Sequence, residues 1–568
     1  MTRPGLKTLA ALYAVALGLL FLWAGRTETL ALRSQLAEWT PLALQASFLL
    51  LVGSIAAGRR AVARSLGNAR FLLLFASVVA FLAVSFLPPA THRIFYDEDI
   101  YQNVAQNILW TGRAEMCNEA TIEHGEFRCL AGEYNKEPNS FPFLVSLMFR
   151  SSGVDESSAH LLNRLLFALG AFVAGWAGFL LFGDRLAAAA ASALYLLTPE
   201  NLLWGATVAA EPGTATFAGL AVCGWLLFLR EPSLATGLFA GSGLAFALQW
   251  RPEAGLLLPV VGIALLAARR AEEGPHPLAD RRVYAAGLVA LVLIVPHLAH
   301  LWAVRGEGWG ATEAGKFAWQ YVLPNLRTNA AFYVEGREFP LLYTVLAALG
   351  LAAGAGGRVK AVPAAWFLFM FAVFIPFHAG SYRYGADVRF SVVSNMPLAV
   401  LGGAGAVWVL RRLSGWGVDG RLARAALWVG LVYAFSAYLP LVRAVGREAW
   451  AARADHQAAR EFIEGVPEHS VVLTHNPGML QVMGQSAAQA SLATYRPERV
   501  QEFFRMFPGG VYFHYNFWCN VSDPVQVAFC AAILERYPNQ VLAEKSAGFN
   551  RFVLYRLSPP RARTTEPE

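Results

Sequence analysis

Long apolar segments, each broken off by a short Arg- or Lys-rich cluster or by Pro and Gly, follow one another from Leu9 to Leu441. A membrane helix needs about 20 mainly apolar residues, and basic clusters collect on the cytoplasmic side; on those rules the pattern predicts about thirteen membrane helices with a cytoplasmic N-terminus. The first, Leu9–Ala24, follows Arg3 and Lys7 and reads as a retained anchor, since a second apolar segment comes next and no small-residue cleavage site is convincing. Arg59, Arg60, Arg64 and Arg70 mark an inner turn, and the third segment, Phe71–Phe86, climbs to Pro88-Pro89. Arg269, Arg270, Arg281 and Arg282 mark another inner turn further along.

Three stretches depart from this pattern. Residues 88–158 are polar and acidic and predict a structured extracytoplasmic loop, with amphipathic helices near Tyr101–Trp110 and Phe141–Phe149. Residues 301–339 form a second long outer loop, whose Trp302, Trp309, Trp319 and Tyr321 suit an interface. Beyond a membrane domain spanning 1–442, the runs Val471–Thr474, Val511–Phe513 and Phe552–Tyr555 alternate with helical stretches. They predict an extracytoplasmic α/β domain over 443–557, followed by a disordered Pro-, Arg- and Glu-rich tail, 558–568. The expected architecture is thus a polytopic all-α membrane bundle carrying a C-terminal α/β domain.

Composition narrows the class. With 568 residues, 56% apolar, 13% aromatic and only 15% charged, the chain is not an ordinary soluble enzyme. Its net charge of +7 is scattered between apolar segments, so it reads as topology and not as a nucleic-acid surface. Compact Ala- and Arg-rich helices suggest a bacterial inner membrane. Cys117 and Cys129 fall in the first outer loop, Cys519 and Cys530 in the terminal domain; each pair can close a short ring in an oxidising compartment, against the alternative of four unrelated cysteines. Cys223 lies within a membrane segment and is expected to be a packed free thiol.

Candidate chemistry starts at Asp97-Glu98-Asp99, three carboxylates at the mouth of a membrane helix. On charge alone they are equally a solvated acidic loop. Arg164, Arg251, Arg383 and Arg389 all fall at predicted outer helix ends, where arginine binds phosphate through its planar fork or simply snorkels to the interface. Glu211 opens a descending helix, where a carboxylate suits the dipole, and Glu253 is placed to pair with Arg251. His297 and His300 share a helix face, yet no spacing matches a zinc motif, and no Walker loop or dinucleotide fingerprint is present. The run Gly402-Gly403-Ala404-Gly405 reads as close helix packing.

Taken in order, Asp97-Glu98-Asp99-Ile100-Tyr101, Ala105-Gln106-Asn107-Ile108, Lys136-Glu137-Pro138, Asn163-Arg164, Glu211-Pro212, Arg251-Pro252-Glu253 and Arg389-Phe390…Pro397 resemble the C-type (GT-C) integral-membrane glycosyltransferases. That family includes protein O-mannosyltransferases and the aminoarabinose transferases of lipid A. Glu137 departs from the family's Lys-Pro-Pro-like element. The resemblance implies transfer of a sugar from a polyprenyl-phosphate donor to an extracytoplasmic acceptor, with inversion, no required cofactor and room for a divalent cation. Asp97 is then the expected base, with Glu98 beside it. Asp99, Tyr101, Lys136, Arg164, Glu211, Arg251, Arg383 and Arg389 are expected to contact substrate, and which of the three acids takes the proton stays open. A transporter or flippase of a lipid-linked substrate is the competing class; it calls for midplane ionisable groups and usually a repeat. A non-catalytic scaffold would leave the loop's acids dispensable.

Overall fold

In the computed structural model, residues 3–94, 96–267, 280–308, 311, 315–352, 357–383, 388–447, 451–520 and 523–560 are described. Arg269, Arg270, Trp309 and the end of the expected tail lie outside them. The chain divides into two units: Met1–Ala90, Lys136–Phe141 and His160–Gly446 form the first, and Thr91–Asn135, Pro142–Ala159 and Arg447–Glu568 the second.

The first unit is helical because its sequence is apolar over whole turns. Seven described helices are long and apolar enough to cross a membrane, or eight if the pair Arg185–Leu196 and Pro199–Gly205, bent by 61°, is one broken span. About thirteen crossings were expected; the described residues also hold four shorter apolar helices, Tyr13–Arg26, Leu234–Leu248, Pro252–Ala267 and Leu341–Ala352. This is a multi-pass membrane protein. Spans Glu211–Arg230 and Arg389–Gly415 are 89% enclosed and make the unit's centre, whereas Gly420–Arg447 is only 17% enclosed and Arg59–Phe86 22%. On the helix Arg70–Phe86, Phe71, Phe75, Val78, Leu82 and Phe86 are exposed at helical spacing while Leu73, Ala80 and Val84 are buried. That stripe suits lipid contact on one side and protein on the other. The glycine run packs as its composition suggests: a Cβ on Gly405 would lie 1.9 Å from the Leu346 carbonyl oxygen, so only glycine admits this backbone approach.

The second unit is built on a seven-stranded sheet. Its strands are β1 (Glu115–Glu123), β2 (Glu126–Tyr134), β3 (Ser470–Thr474), β4 (Ala487–Gln489), β5 (Gly510–Tyr515), β6 (Asn539–Ala547) and β7 (Asn550–Leu557). They run in the order β2-β1-β4-β3-β5-β7-β6, with β4, β3 and β5 parallel and the other pairs antiparallel. Parallel β3 is buried along its whole length because alternate residues enter two cores. Val471 and Leu473 pack with Phe503, Val511 and Phe513, and Val472 with Phe462, Tyr512 and Leu554.

The first long loop, expected within the membrane domain 1–442, is placed by its backbone pairing in this second unit. It folds as the helix Asp97–Thr111 followed by the β1–β2 hairpin, and β1 pairs with β4 at Glu119–Ala488 and Ala120–Ala487. The hairpin reverses at His124 and Gly125, both at positive φ (52° and 79°), the requirement of a two-residue primed turn. Disulfides Cys117–Cys129 and Cys519–Cys530 are both formed, and Cys223 is a buried free thiol. The helix is stitched to its surroundings through Asn103, whose Oδ1 accepts the Cys117 N–H (2.7 Å) and whose Nδ2 donates to Gln481 Oε1 (2.6 Å).

Candidate active site

In the second unit the acidic stretch opens the helix Asp97–Thr111, and the three carboxylates diverge there. Tyr96 precedes it at φ 81°, ψ −47°, a left-handed conformation that costs a non-glycine residue of order 1–3 kcal/mol and persists where surroundings over-determine it. Its ring meets Trp518 edge-on at 6.1 Å. Asp97, next in line, is half-buried. Glu98, the expected companion of Asp97, is fully enclosed, and its Oε1 accepts the backbone N–H groups of Arg93 (2.7 Å) and Ile94 (2.9 Å). It thereby fixes the loop leading into the helix. Asp99 is buried too: Asn476 Nδ2 donates to its Oδ2 at 2.6 Å, and His456 Nδ1 lies 3.6 Å from Oδ1.

Asn476 sits just past the carboxyl end of β3, with its own Oδ1 accepting the Met479 N–H to cap the helix Pro477–Val482. β3 is followed by a helix and β4 on one side and paired with β5 on the other, so this is a topological switch point, the place where open α/β sheets present ligand-facing loops. Asp99 thus joins the acidic loop to that edge of the sheet.

Around Asp99 lies a ring of titratable groups. His92 and His456 stack with centroids 4.3 Å apart. His92 Nε2 lies 2.5 Å from Glu156 Oε1, His456 Nε2 lies 2.9 Å from Glu156 Oε2, and Arg460 also pairs with Glu156. Burial alone would drive His456 down, but Glu156 and Asp99 outweigh it and hold the imidazole up at about 10. Burial likewise pushes Asp99 up, and His456, His92 and Asn476 together bring its carboxyl below the ordinary aspartate range. Tyr101 is buried and faces no open surface.

In the first unit three expected residues do meet. Glu211, buried at the start of its helix, takes Arg251 Nη1 on Oε1 at 2.7 Å, with Arg389 Nε 3.8 Å from the same oxygen. Arg251 also pairs with Glu253, as its place two residues on suggests. Both guanidiniums lie over Phe390, at 5.7 Å for Arg251 and 5.0 Å for Arg389. Gly213 sits directly behind: a Cβ there would come within 2.0 Å of the Trp250 ring. Lys136 is elsewhere, 3.5 Å from Glu307, which also pairs with Arg33 at 2.6 Å. Arg164 is partly buried with no hydrogen bond to its Nε among the described residues, and Arg383 is exposed in a turn.

Residues 136–300 match the family described as dolichyl-phosphate-mannose-protein mannosyltransferase. The structure of ArnT from Cupriavidus metallidurans bound to undecaprenyl phosphate superposes with a TM-score of 0.53 at 15% identity, over 86% of this chain and 98% of that one. The chain has the fold of the C-type membrane glycosyltransferases. The same C-type fold is seen in the apo form of that ArnT (TM-score 0.54, 15% identity, 87% and 98% covered). It is seen again in the oligosaccharyltransferase of Archaeoglobus fulgidus (0.50, 12%, 84% and 72%). In sequence, the lipopolysaccharide core galacturonosyltransferase RgtB of Rhizobium johnstonii is 29% identical over 171 residues, which span 30% of this chain and about a third (34%) of that relative's length.

Several residues of this C-type fold's candidate site escaped the sequence reading: His92, Glu156, His456 and Asn476. Only Asn476, in Asn476-Pro477-Gly478, carried a local signal, that of a turn or helix start. The others are brought together by pairing between distant segments.

Proposed function

We propose that the protein is an inverting glycosyltransferase that moves a sugar from a polyprenyl-phosphate donor to an extracytoplasmic acceptor, in a bacterial inner membrane with the N-terminus cytoplasmic. The observation that carries this reading is Asp97: of three adjacent carboxylates it alone is half-buried while its neighbours are enclosed, and the backbone just before it is strained into position.

The acceptor hydroxyl gives its proton to the Asp97 carboxylate as its oxygen bonds to the anomeric carbon. The bond from that carbon to the phosphate oxygen breaks, and the lipid phosphate leaves with the electron pair. A single displacement from the opposite face inverts the centre. General-base assistance of this kind contributes about 10²–10⁴-fold. Arg251 and Arg389 hold the phosphate as its charge grows, an interaction stronger in the transition state than before it. Glu211 fixes the orientation of Arg251. Glu98 and Asp99 act on the position of Asp97 through the loop and the sheet edge.

Support for the donor class comes from the ArnT structure, which holds undecaprenyl phosphate, and from the family named for a dolichyl-phosphate mannose substrate. RgtB, named as acting on lipopolysaccharide core, favours a glycolipid acceptor over protein. The test is transfer from undecaprenyl phosphates carrying mannose, galacturonic acid or aminoarabinose to a membrane glycolipid extract, by wild type and Asp97→Asn. One donor is expected to react, with a fall of about 10²–10⁴-fold in the variant at unchanged thermal midpoint. Equal rates would remove Asp97 as the base, and no transfer from any donor would refute the reading.

A further inference from the structure

Three ligand-type side chains of the second unit converge from separate segments: His92 from the loop before the acidic helix, Glu156 from the first residue of Glu156–Phe182, and His456 from the helix Ala451–Ile463. Each offers one ligand atom, and the three atoms lie within 4.8 Å of one another. Both imidazoles turn Nε2 toward Glu156. Their other nitrogens face carboxylates, His92 Nδ1 at 3.3 Å from Glu98 Oε2 and His456 Nδ1 at 3.6 Å from Asp99 Oδ1. A ring nitrogen aimed at a shared point while the other is aimed at a carboxylate is how metal-bound histidines are oriented.

Charge points the same way. Glu98, Asp99 and Glu156 bring three carboxylates into a small, largely buried volume, and among the charged groups Arg460, on its exposed side, is paired with Glu156. Buried carboxylates need compensation. One dication supplies it with both rings neutral.

We infer that His92, Glu156 and His456 form a site for one divalent cation of the zinc class, held by two Nε2 atoms and a carboxylate oxygen, with Glu98 and Asp99 orienting the rings. Two His and one Glu with a fourth position open is a known zinc ligand set. The second His-containing cluster, His475 with Cys519 and Cys530, does not compete, because both sulfurs are in a disulfide. The ion would pin the loop that leads into the Asp97–Thr111 helix to Ala451–Ile463, with His92 five residues ahead of Asp97.

The test uses the full chain purified in detergent, stripped with a chelator and titrated with zinc, and separately with cobalt, whose visible d–d bands report a low-coordinate nitrogen and oxygen site. Wild type is expected to hold about one zinc, to show those bands, and to gain thermal midpoint on zinc addition. His456→Gln is expected to abolish the bands, and Asp99→Asn to weaken affinity about 10–100-fold, as loss of an outer carboxylate does. Should His456→Gln fail to fold by circular dichroism and gel filtration, Glu156→Gln gives the same reading from another element. Wild type without the bands or the gain in midpoint, or bands that survive both substitutions, overturns the assignment and leaves the cluster a set of ion pairs closed by protons.

Discussion

In the second unit Glu98 and Asp99 accept from two backbone N–H groups and the Asn476 amide and lie beside two titratable imidazoles. In the first unit Glu211 leans on guanidiniums that stay charged at any working pH. The first arrangement places side chains and responds to protons or metal; the second keeps fixed charge in place beside an aromatic ring. One therefore fails by titration or loss of geometry, the other by leaving a carboxylate stranded.

That contrast can be broken most sharply at Arg251. Arg251→Gln leaves Glu211 buried beside a weaker partner, Arg389 at 3.8 Å, and is expected to cost about 3–5 kcal/mol. Adding Glu211→Gln should recover most of it, since the stranded charge goes with it. The thermal midpoint in detergent reads both; an Arg251→Gln protein as stable as wild type would mean that the ion pair is not what holds Glu211.

A smaller effect sharpens the contrast inside the second unit. His475, unlike His456, is pushed down to about 4, by burial first and by His514 second. Its folded form resists the proton that the unfolded chain accepts near 6.5, so its contribution to stability is complete above pH 6.5 and is lost as pH falls through 4. The loss is about 3 kcal/mol. Comparing wild type with His475→Gln by unfolding between pH 7 and 4 isolates it, and parallel curves would show that His475 does not titrate across folding.

The least effect is expected at Lys136, whose ammonium is half-exposed and 3.5 Å from Glu307. Lys136→Ala should change stability by less than about 1 kcal/mol. A larger fall would place it among the fixed charges of the first unit.

How far the sequence reached varies with the distance over which each feature is set. The membrane segment expected at Phe71–Phe86 is the helix Arg70–Phe86. Arg251 with Glu253 was readable because the partners are two residues apart. The β1–β2 hairpin was missed, although His124-Gly125 is turn chemistry; its alternation is interrupted by a register shift around Asn118 and most of β2 is exposed. Strand β1's pairing with β4 joins residues some 370 positions apart, and nothing local announces it.

By itself the sequence determined the apolar spans, the change to an α/β pattern after residue 442 and the pairing of cysteines within two short stretches, because hydrophobic burial and short-range closure depend on neighbours along the chain. Only the tertiary structure decided that the first long loop belongs to the terminal sheet, that Glu98 and Asp99 are enclosed while Asp97 is half-buried, and that Arg251 and Arg389 share Glu211. Burial and ion pairing are set by whichever distant segment packs alongside, and three adjacent carboxylates of nearly equal chemistry were given different roles by the different groups that came to meet them.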